Sequence, residues 1–452
     1  MPQSSVLYRS LHESPLLATS ATNQFITNEN GHEVRDAIGG AAVSCIGHGD
    51  HRVIAAITKQ LQSVDWVNSA FYTTSAAEEL ATLILRDQST LTRALFVSSG
   101  SEAMESTLKL CRQYFVEKEG NDTPRCHFIA RRQSYHGTTL GALSVGGHTF
   151  RRALFEPILD HEHFHKISPC YAYRDQVGTE EEYTETLITE LVDMIEEIGP
   201  EKVIAFIFEP IVGAALACVP ATKGYIPSVR EVCNRYGILM VVDEVMCGMG
   251  RCTDGYSLHA WKSTNPDCSE ESVAPDIQTV GKGLGGGYLP IAAVLVSKKV
   301  IDVLTAGSGT FINGFTYQSH PTSCAAALAV QSIIKDESLL SMAAGLGKEL
   351  KDQMIRKIAP LPHVGNIRGA GLFWGVEFVE DKITRAPFKK TGFAKKVADC
   401  ALQMGVQVYV CEGIADGILG DAVIVAPAYT SRIEEIVTIV DVLKSAISVS
   451  CT

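Results

Sequence analysis

Uninterrupted apolar runs alternate with amphipathic segments along most of the chain. Residues 203–208 and 238–242 contain only apolar side chains, which is typical of strands that are covered on both faces, as in a parallel sheet. Residues 180–198 instead place apolar side chains at helical spacing along one face of an acidic segment. We therefore predict an α/β fold whose main sheet is mostly parallel.

The same reasoning predicts the remaining elements. Asn30-Gly31 lies between two short segments, 25–27 and 34–36, and predicts a hairpin turn. Further helices are predicted at 54–61, 323–334, 338–358, 391–404 and 431–447, and further strands at 95–97, 128–130, 277–280, 291–296, 372–379, 406–411 and 422–426.

The elements group into two domains and an arm. We assign residues 1–53 to an N-terminal arm that contributes part of a small domain, residues 54–324 to a large domain, and residues 325–452 to the C-terminal small domain. The last helix is expected to begin with a capping box, because Ser431 is followed three positions later by Glu434.

The composition disfavours two classes of partner. The chain has 452 residues and a net charge of −12, and an acidic surface repels nucleic-acid phosphates and anionic lipids. Its apolar residues form no run that approaches the ~20 residues of a membrane span. We therefore expect neither a nucleic-acid nor a membrane partner.

The cysteines and the N-terminal residues bear on location. The 13 cysteines form no C-x-x-C pair, and an odd number without regular spacing favours reduced thiols over a disulfide framework. Residues 1–17 lack the basic start and the long apolar core of a secretory signal. We expect a cytoplasmic location, with mitochondrial and peroxisomal residence left open.

Three charged residues stand at the ends of predicted strands. Asp243 follows the run 238–242, Glu209 follows the run 203–208, and Lys282 follows residues 277–280. A lysine in a turn is usually solvated, but this one is flanked by glycines, which suggests a side chain that projects into a cavity. Because ligands bind at the carboxyl ends of parallel strands, we expect the three side chains to share one crevice.

A turn of small residues precedes a predicted helix. Ser99, Gly100 and Ser101 follow the strand 95–97, and the apolar residues beyond them recur at helical spacing. A helix N-terminus offers free N–H groups and the positive end of a dipole, which suits a phosphate group. An ordinary N-cap serine would produce the same pattern.

Aromatic residues occur in two loops. Tyr135 and His136 follow the strand 128–130, where an aromatic ring and an imidazole suit a planar cofactor as well as an ordinary core. Residues 66–74 contain several aromatic side chains and indicate either a loop that packs on the core or the wall of a pocket.

Two motifs suggest competing chemistry. Alternate histidines at 161–165 could bind a metal, but no cysteine or carboxylate pattern accompanies them, and we predict no metal site. Gly281, Gly283 and Gly286 match a dinucleotide-binding spacing. That site also needs an acidic residue about 20 positions further on, and residues 298–302 offer no convincing candidate.

Together, the phosphate turn, the strand-end aromatic residue, the strand-end acid and the strand-end lysine meet the needs of a pyridoxal phosphate (PLP) site. The chain resembles the class III, or ω-type, aminotransferases of the fold type I PLP family. The resemblance rests on SSGSEA (98–103), YHGTTLGALS (135–144), FEPIVG (208–213), VVDEVMCGMGR (241–251), PDIQTVGKGLGGGYLPIAAVLVS (275–297) and FTYQSHP (315–321). It implies a large domain with a mostly parallel sheet and a smaller C-terminal α/β domain.

The resemblance also implies roles for individual residues. Lys282 is expected to form the Schiff base with PLP, and Asp243 to pair with the pyridine nitrogen. Glu209 is expected to order the hydrogen bonds beside Asp243, and Thr316 to reach the cofactor of the neighbouring subunit in a homodimer. The other cofactor-binding residues implied in this way are Ser99, Gly100, Ser101, Tyr135, His136 and Val245.

Departures from the family pattern bear on the substrate. Ala214 stands where the ornithine and aminobutyrate branches carry a glutamate, and Met246 where glutamine or isoleucine is common. Residues 408–429 lack the arginine that many amine:pyruvate relatives have there. Recognition of a substrate carboxylate is left open, and the candidates are Arg131, Arg132 and Arg368.

The predicted reaction is amino transfer from a primary amine or ω-amino acid to a small keto acid such as pyruvate, in a ping-pong sequence. Three alternatives are kept. An aminomutase or a decarboxylase would use the same cofactor, a dinucleotide-binding oxidoreductase would use the glycines after residue 280, and a non-catalytic binding module would use neither.

Overall fold

The computed structural model describes residues 4–451, in which strands and helices alternate as in other α/β proteins. Seventeen strands lie in this part of the chain: β1 (Ala18–Thr22), β2 (Phe25–Asn28), β3 (Glu33–Asp36), β4 (Leu91–Val97), β5 (His127–Arg131), β6 (Phe164–Ile167), β7 (Val203–Phe208), β8 (Ile211–Val212), β9 (Val219–Pro220), β10 (Leu239–Glu244), β11 (Ile277–Val280), β12 (Ala292–Ser297), β13 (Val364–Ala370), β14 (Phe373–Phe378), β15 (Val406–Gln407), β16 (Tyr409–Glu412) and β17 (Asp421–Val425).

Helices connect these strands and cover the sheets. They are α1 (Gly39–Ala42), α2 (His51–Ser63), α3 (Ser75–Leu85), α4 (Gly100–Glu119), α5 (Leu140–Val145), α6 (Thr149–Arg152), α7 (Ala172–Asp175), α8 (Glu180–Ile198), α9 (Tyr225–Tyr236), α10 (Ala260–Ser263), α11 (Lys298–Ala306), α12 (Pro321–Asp336), α13 (Leu339–Lys357), α14 (Phe393–Gln403) and α15 (Ile433–Ser450). Within residues 4–451, every helix falls short of the length or the apolar character that a membrane crossing requires.

The main sheet has seven strands in the order β4-β12-β11-β10-β7-β5-β6. Strand β12 runs antiparallel to both of its neighbours, and the other pairs are parallel. Strands β4, β5, β7, β10 and β11 therefore end at the same edge. The predicted α/β class and the mostly parallel sheet are confirmed.

Both faces of this sheet are buried, which explains the apolar runs in its strands. Ile207 of β7 packs in a core that includes Met104 of α4, on one side of the sheet. The adjacent Phe208 packs in a separate core that includes Leu187 of α8 and Val229 of α9. Because successive side chains point to opposite faces, a strand between two cores needs apolar residues at every position.

Two smaller sheets are built largely from the ends of the chain. One has the order β13-β14-β17-β16, and the other, β1-β2-β3-β15, pairs the N-terminal β3 with β15 in parallel. The strand predicted at 406–411 is thus two strands, β15 and β16, that belong to different sheets. Helix α12 is continuous across position 324, where we place the end of the large domain, and the three-part division remains a prediction.

Two local signals in the sequence have different outcomes. The Asn30-Gly31 hairpin is confirmed, because β2 and β3 pair antiparallel around Gly31, whose φ is 76°. The capping box at Ser431 is wrong by one position. Arg432 is the N-cap of α15, and its N–H donates to the side chain of Glu435 at 2.8 Å.

Candidate active site

The charged residues predicted to act together lie at one edge of the main sheet. Asp243 is on β10, and Glu209 and Lys282 follow β7 and β11. Because these strands are parallel neighbours, their carboxyl ends meet, and all three side chains line one cavity of about 420 Å³. The shared crevice predicted from the sequence is confirmed.

Asp243 is buried and held by hydrogen bonds to both oxygens. Oδ1 accepts from the Thr279 hydroxyl at 2.9 Å and from the Val245 N–H at 3.0 Å. Oδ2 lies 2.8 Å from Nδ1 of His136, whose Nε2 is buried and has no partner among residues 4–451. These contacts fix the direction in which the carboxylate faces the cavity.

Lys282 combines a rare backbone conformation with a perturbed amine. Its φ of 44° lies in the left-handed region that residues other than glycine seldom adopt, and such positions cluster at functional sites. Burial lowers the pKa of the Lys282 ε-amino group below its ordinary value, and the negative charges of Asp243 and Glu209 oppose this shift. A lowered pKa increases the neutral fraction, which a nucleophile or a base requires.

The N-terminus of α4 forms another part of the cavity wall. Ser99 is the N-cap, and its hydroxyl accepts the Glu102 N–H at 3.2 Å. The N–H groups of Gly100 and Ser101 belong to the first turn, which has no intrahelical acceptors. The Ser101 hydroxyl accepts the N–H of Thr138 at 3.0 Å. Backbone N–H groups therefore remain for an anionic ligand.

Glycines keep this wall open. A Cβ atom at Gly100 would lie 2.9 Å from Cγ1 of Val245, and one at Gly137 would lie 2.7 Å from the hydroxyl of Ser101. Both distances are shorter than a Cβ contact tolerates. Any larger residue at either position would displace groups that line the cavity.

Glu209 positions the backbone beside the cavity. Its Oε1 accepts the Tyr135 N–H at 3.1 Å, and its Oε2 accepts the Gly213 N–H at 3.0 Å. Burial raises the pKa of the Glu209 carboxyl, and the charge of Asp243 adds to the shift. Glu209 thus lies near Asp243 as expected, but its hydrogen bonds go to backbone N–H groups.

The chemistry of the lining fits PLP. The cavity offers an amine for the covalent bond, a buried carboxylate for the ring nitrogen, and Tyr135 and Val245 for the ring faces. A helix N-terminus with free N–H groups suits the phosphate. A Cβ at Gly100 or Gly137 would press on Val245 or Ser101, which line this wall. The buried Nε2 of His136, which has no partner within residues 4–451, offers a further polar contact.

Thr316 lies outside this cavity. It is exposed, and its carbonyl accepts the indole N–H of Trp66 at 3.2 Å. The neighbouring aromatic loop is also exposed, with Phe71 at 79% and Tyr72 at 67% of their full accessibility. The interpretation of residues 66–74 as a loop that packs on the core is therefore wrong. These residues do not line the cavity of their own chain, and their role as the wall of a pocket stays a prediction.

The three arginines considered for carboxylate binding have other partners. Arg368 is buried in an ion pair with Glu377, and Arg131 donates to the main-chain carbonyl of Glu209. The side chain of Arg132 is 54% exposed and forms a surface ion pair. Within the described chain, none of the three lines the cavity.

Neither competing motif forms its site. Within residues 4–451, no group of three or more His, Cys, Asp or Glu side chains is arranged to hold a metal ion. After Gly281 the chain forms a 3-10 helix, Lys282–Leu284, and then enters β12, which is antiparallel to β11. A dinucleotide-binding unit requires a helix and a parallel strand at this point.

Sequence reasoning missed several residues around the site. Thr279 carries no signal beyond its place on the strand before Lys282. Tyr288 lines the cavity and accepts the Asp50 N–H at 2.8 Å, a contact that only the folded chain creates. The guanidinium of Arg151 lies 4.4 Å from the ring centroid of Tyr135, although its sequence context resembles an ordinary surface helix.

Comparison with known proteins decides the family. The family described as aminotransferase class-III matches residues 7–447. The chain belongs to the class III aminotransferases. These enzymes are PLP-dependent, and the dinucleotide-binding oxidoreductase and the non-catalytic module are thereby excluded.

Similar proteins support this assignment over the whole fold. The aminotransferase resembles an aminotransferase of Gibberella zeae at 44% identity, over 98% of this chain and 85% of that protein. It also resembles gamma aminobutyrate transaminase 3 of Solanum lycopersicum at 32% identity, over 93% of this chain and 78% of that protein. The fold also matches that of an amine transaminase from an uncultivated Pseudomonas species in a PLP-bound form, with a TM-score of 0.87 and 30% identity. The match covers 99% of this chain and 98% of the Pseudomonas chain. The fold is therefore that of fold type I PLP transaminases.

Proposed function

We propose that this aminotransferase moves the amino group of a primary amine or ω-amino acid to a small keto acid such as pyruvate. The two substrates would react in turn in the same cavity, in a ping-pong sequence. One observation carries the proposal: Lys282 and Asp243 stand at the ends of adjacent parallel strands and line one cavity. When bound there, PLP supplies an electrophilic aldehyde and an electron-accepting ring.

Lys282 would hold the cofactor and then act as the base. Once an amine substrate had freed the Nζ of Lys282, this atom would be the group that takes up and then donates the proton moved in the transfer. Burial, which lowers the pKa of this amine, supports the role. Asp243 would keep the ring nitrogen protonated, and its contacts with Thr279 and His136 support a fixed orientation.

The remaining cavity residues would bind the cofactor without reacting. Tyr135 and Val245 would cover the two faces of the ring, and Glu209 would keep Tyr135 in place. Gly100 and Ser101 would bind the phosphate, while Ser99 caps the helix that presents them.

We propose a homodimer in which Thr316 completes the neighbouring subunit's phosphate site. Its exposure, outside the cavity of its own chain, supports this role. Other apolar side chains are also exposed, with accessibilities of 59% for Tyr317, 76% for Ile312 and 79% for Phe71. Exposed apolar side chains near Trp66 and Thr316 favour a subunit interface.

We keep the cytoplasm as the proposed location, because the thiols of the described residues are free.

A half-reaction separates amino transfer from its rivals on the same cofactor. The holoenzyme is given an alkylamine, β-alanine or 4-aminobutyrate alone, and the absorption spectrum and the carbonyl product are followed. We expect one carbonyl product per subunit, conversion of the cofactor to pyridoxamine phosphate, and recovery of the first spectrum after pyruvate is added. Continuous turnover without a keto acid would indicate a decarboxylase or an aminomutase. 2-Oxoglutarate serves as the comparison acceptor.

A further inference from the structure

Arg151 places a positive charge beside the cavity: it is not itself a lining residue, but it contacts one that is. Its guanidinium lies 4.4 Å from the ring centroid of Tyr135, which lines the cavity, and Nη2 donates to the hydroxyl of Tyr409 at 3.2 Å. The side chain is partly exposed. The guanidinium is therefore held between a cavity residue and strand β16, where solvent or a ligand can reach it.

No carboxylate neutralises this charge in residues 4–451. Arg151 forms no ion pair with an acidic side chain within 4.0 Å, and its side-chain hydrogen bond goes to a neutral hydroxyl, that of Tyr409. The adjacent Arg152 differs, because it pairs with Glu156 at 2.9 Å and donates to main-chain carbonyls. A guanidinium has five N–H donors, and most of those on Arg151 remain for another partner.

The field of Arg151 reaches the reacting amine. Its positive charge contributes to the lowered pKa of Lys282, after burial has made the largest contribution. It also adds to burial in lowering the pKa of His148 to about 4. An anion bound to Arg151 would therefore act electrostatically on the group that we place at the centre of the chemistry.

We propose that Arg151, oriented by Tyr409, binds the carboxylate of the keto acid and of ω-amino acid donors. This inference rests on the proposed amino transfer in the same cavity. A planar guanidinium matches a carboxylate with two parallel hydrogen bonds, and an arginine without an internal anion loses no ion pair when it binds one. Residues 408–429 contain no arginine or lysine, so Arg151 brings to β16 a cation that the strand itself lacks.

A purely structural role would have different consequences. If Arg151 only supported the ring of Tyr135 through the cation–π contact, its loss would disturb every substrate alike. If it binds a carboxylate, only substrates that carry one are affected. Paired substrates with and without a carboxylate therefore separate the two roles.

The test compares Arg151→Gln, Arg151→Lys and, as a matched control, Arg132→Gln, which removes a surface guanidinium away from the cavity. For Arg151→Gln, we expect kcat/KM for pyruvate to fall about 10- to 100-fold, since this is the range for a lost charge-assisted hydrogen bond. With propanal as acceptor and an alkylamine as donor, values should stay within about threefold of wild type. Arg151→Lys should restore part of the lost kcat/KM for pyruvate, and Arg132→Gln should leave kcat/KM unchanged for both acceptors.

A binding measurement gives a second readout. Unreactive propanoate is titrated into the holoenzyme while cofactor absorption is followed, with propanamide as the neutral comparison. We expect a saturable shift with propanoate in the wild type that Arg151→Gln weakens at least about 10-fold. Equal losses for pyruvate and propanal, or no loss for either, would overturn the inference. If the wild type transferred no amino group to any acceptor, the proposed function would fail, and the propanoate titration would still decide the role of Arg151.

Discussion

At the scale of single residues, the site depends on one buried carboxylate. Asp243 is 5% exposed, and the contacts of Thr279, Val245 and His136 leave it a single orientation. A charge fixed in a cavity stabilises an opposite charge more strongly than it would in water, because the surroundings need not reorganise. The charge of Asp243, rather than its shape, should therefore set the reaction rate.

Asp243→Asn keeps the shape and removes the charge. We expect the rate of the amine half-reaction to fall about 10²- to 10³-fold, with the cofactor still bound, because a preorganised electrostatic contact is lost. Stopped-flow absorption with a saturating alkylamine measures this rate. Asp302→Asn, which alters an exposed ion pair with Lys298, is the control and should leave the rate unchanged. A rate for Asp243→Asn within about threefold of wild type would contradict the role of the charge.

At the scale of elements, the ends of the strands were predictable and the connections between distant segments were not. Apolar runs such as those of β7 and β10 identify strands buried on both faces, and the residues just after them reach the cavity by the geometry of a parallel sheet. Asp243 and Glu209 could be found in this way, and Lys282 could be found by the glycines on either side of it. The N-terminus of α4 could be found because its cap residues are local in sequence.

Elements that depend on tertiary pairing escaped the sequence reasoning. Strand β13 has glycines at 365 and 369 and little alternation, and it is extended because it pairs with β14. Strands β15 and β16 are contiguous in sequence but join different sheets. Arg151 was missed for the same reason, since its position depends on a contact with Tyr409, 258 residues further along the chain.

For the whole molecule, we propose that a complete site needs two subunits. Thr316 lies outside the cavity of its own chain, and the apolar side chains near it are exposed. We therefore expect a site that combines Lys282 of one subunit with Thr316 of the other. This arrangement can be tested by mixing two inactive variants.

The two variants are Lys282→Ala and Thr316→Asp. The second substitution places a negative charge against the cofactor phosphate of the neighbouring subunit. Each homodimer should be nearly inactive. When the two chains are co-expressed, half of the dimers should be hybrids with one intact site, so that activity recovers to about a quarter of wild type. Activity per subunit and the mass of the complex are the measurements. No recovery in confirmed hybrids would mean that Thr316 serves its own chain or neither, and a monomeric wild type would remove the basis of the shared site.

We expect Lys282 to bind the cofactor covalently, and chemical mapping of that bond decides whether it does. The holoenzyme is reduced with borohydride and digested, and the modified peptide is located by mass spectrometry, with Lys282→Ala treated in parallel. We predict a pyridoxyl phosphate adduct on Lys282, loss of the yellow absorption on reduction, and neither adduct nor yellow absorption in the variant. An adduct on another lysine, or an unmodified Lys282 in fully loaded wild-type enzyme, would rule out Lys282 as the residue that binds the cofactor.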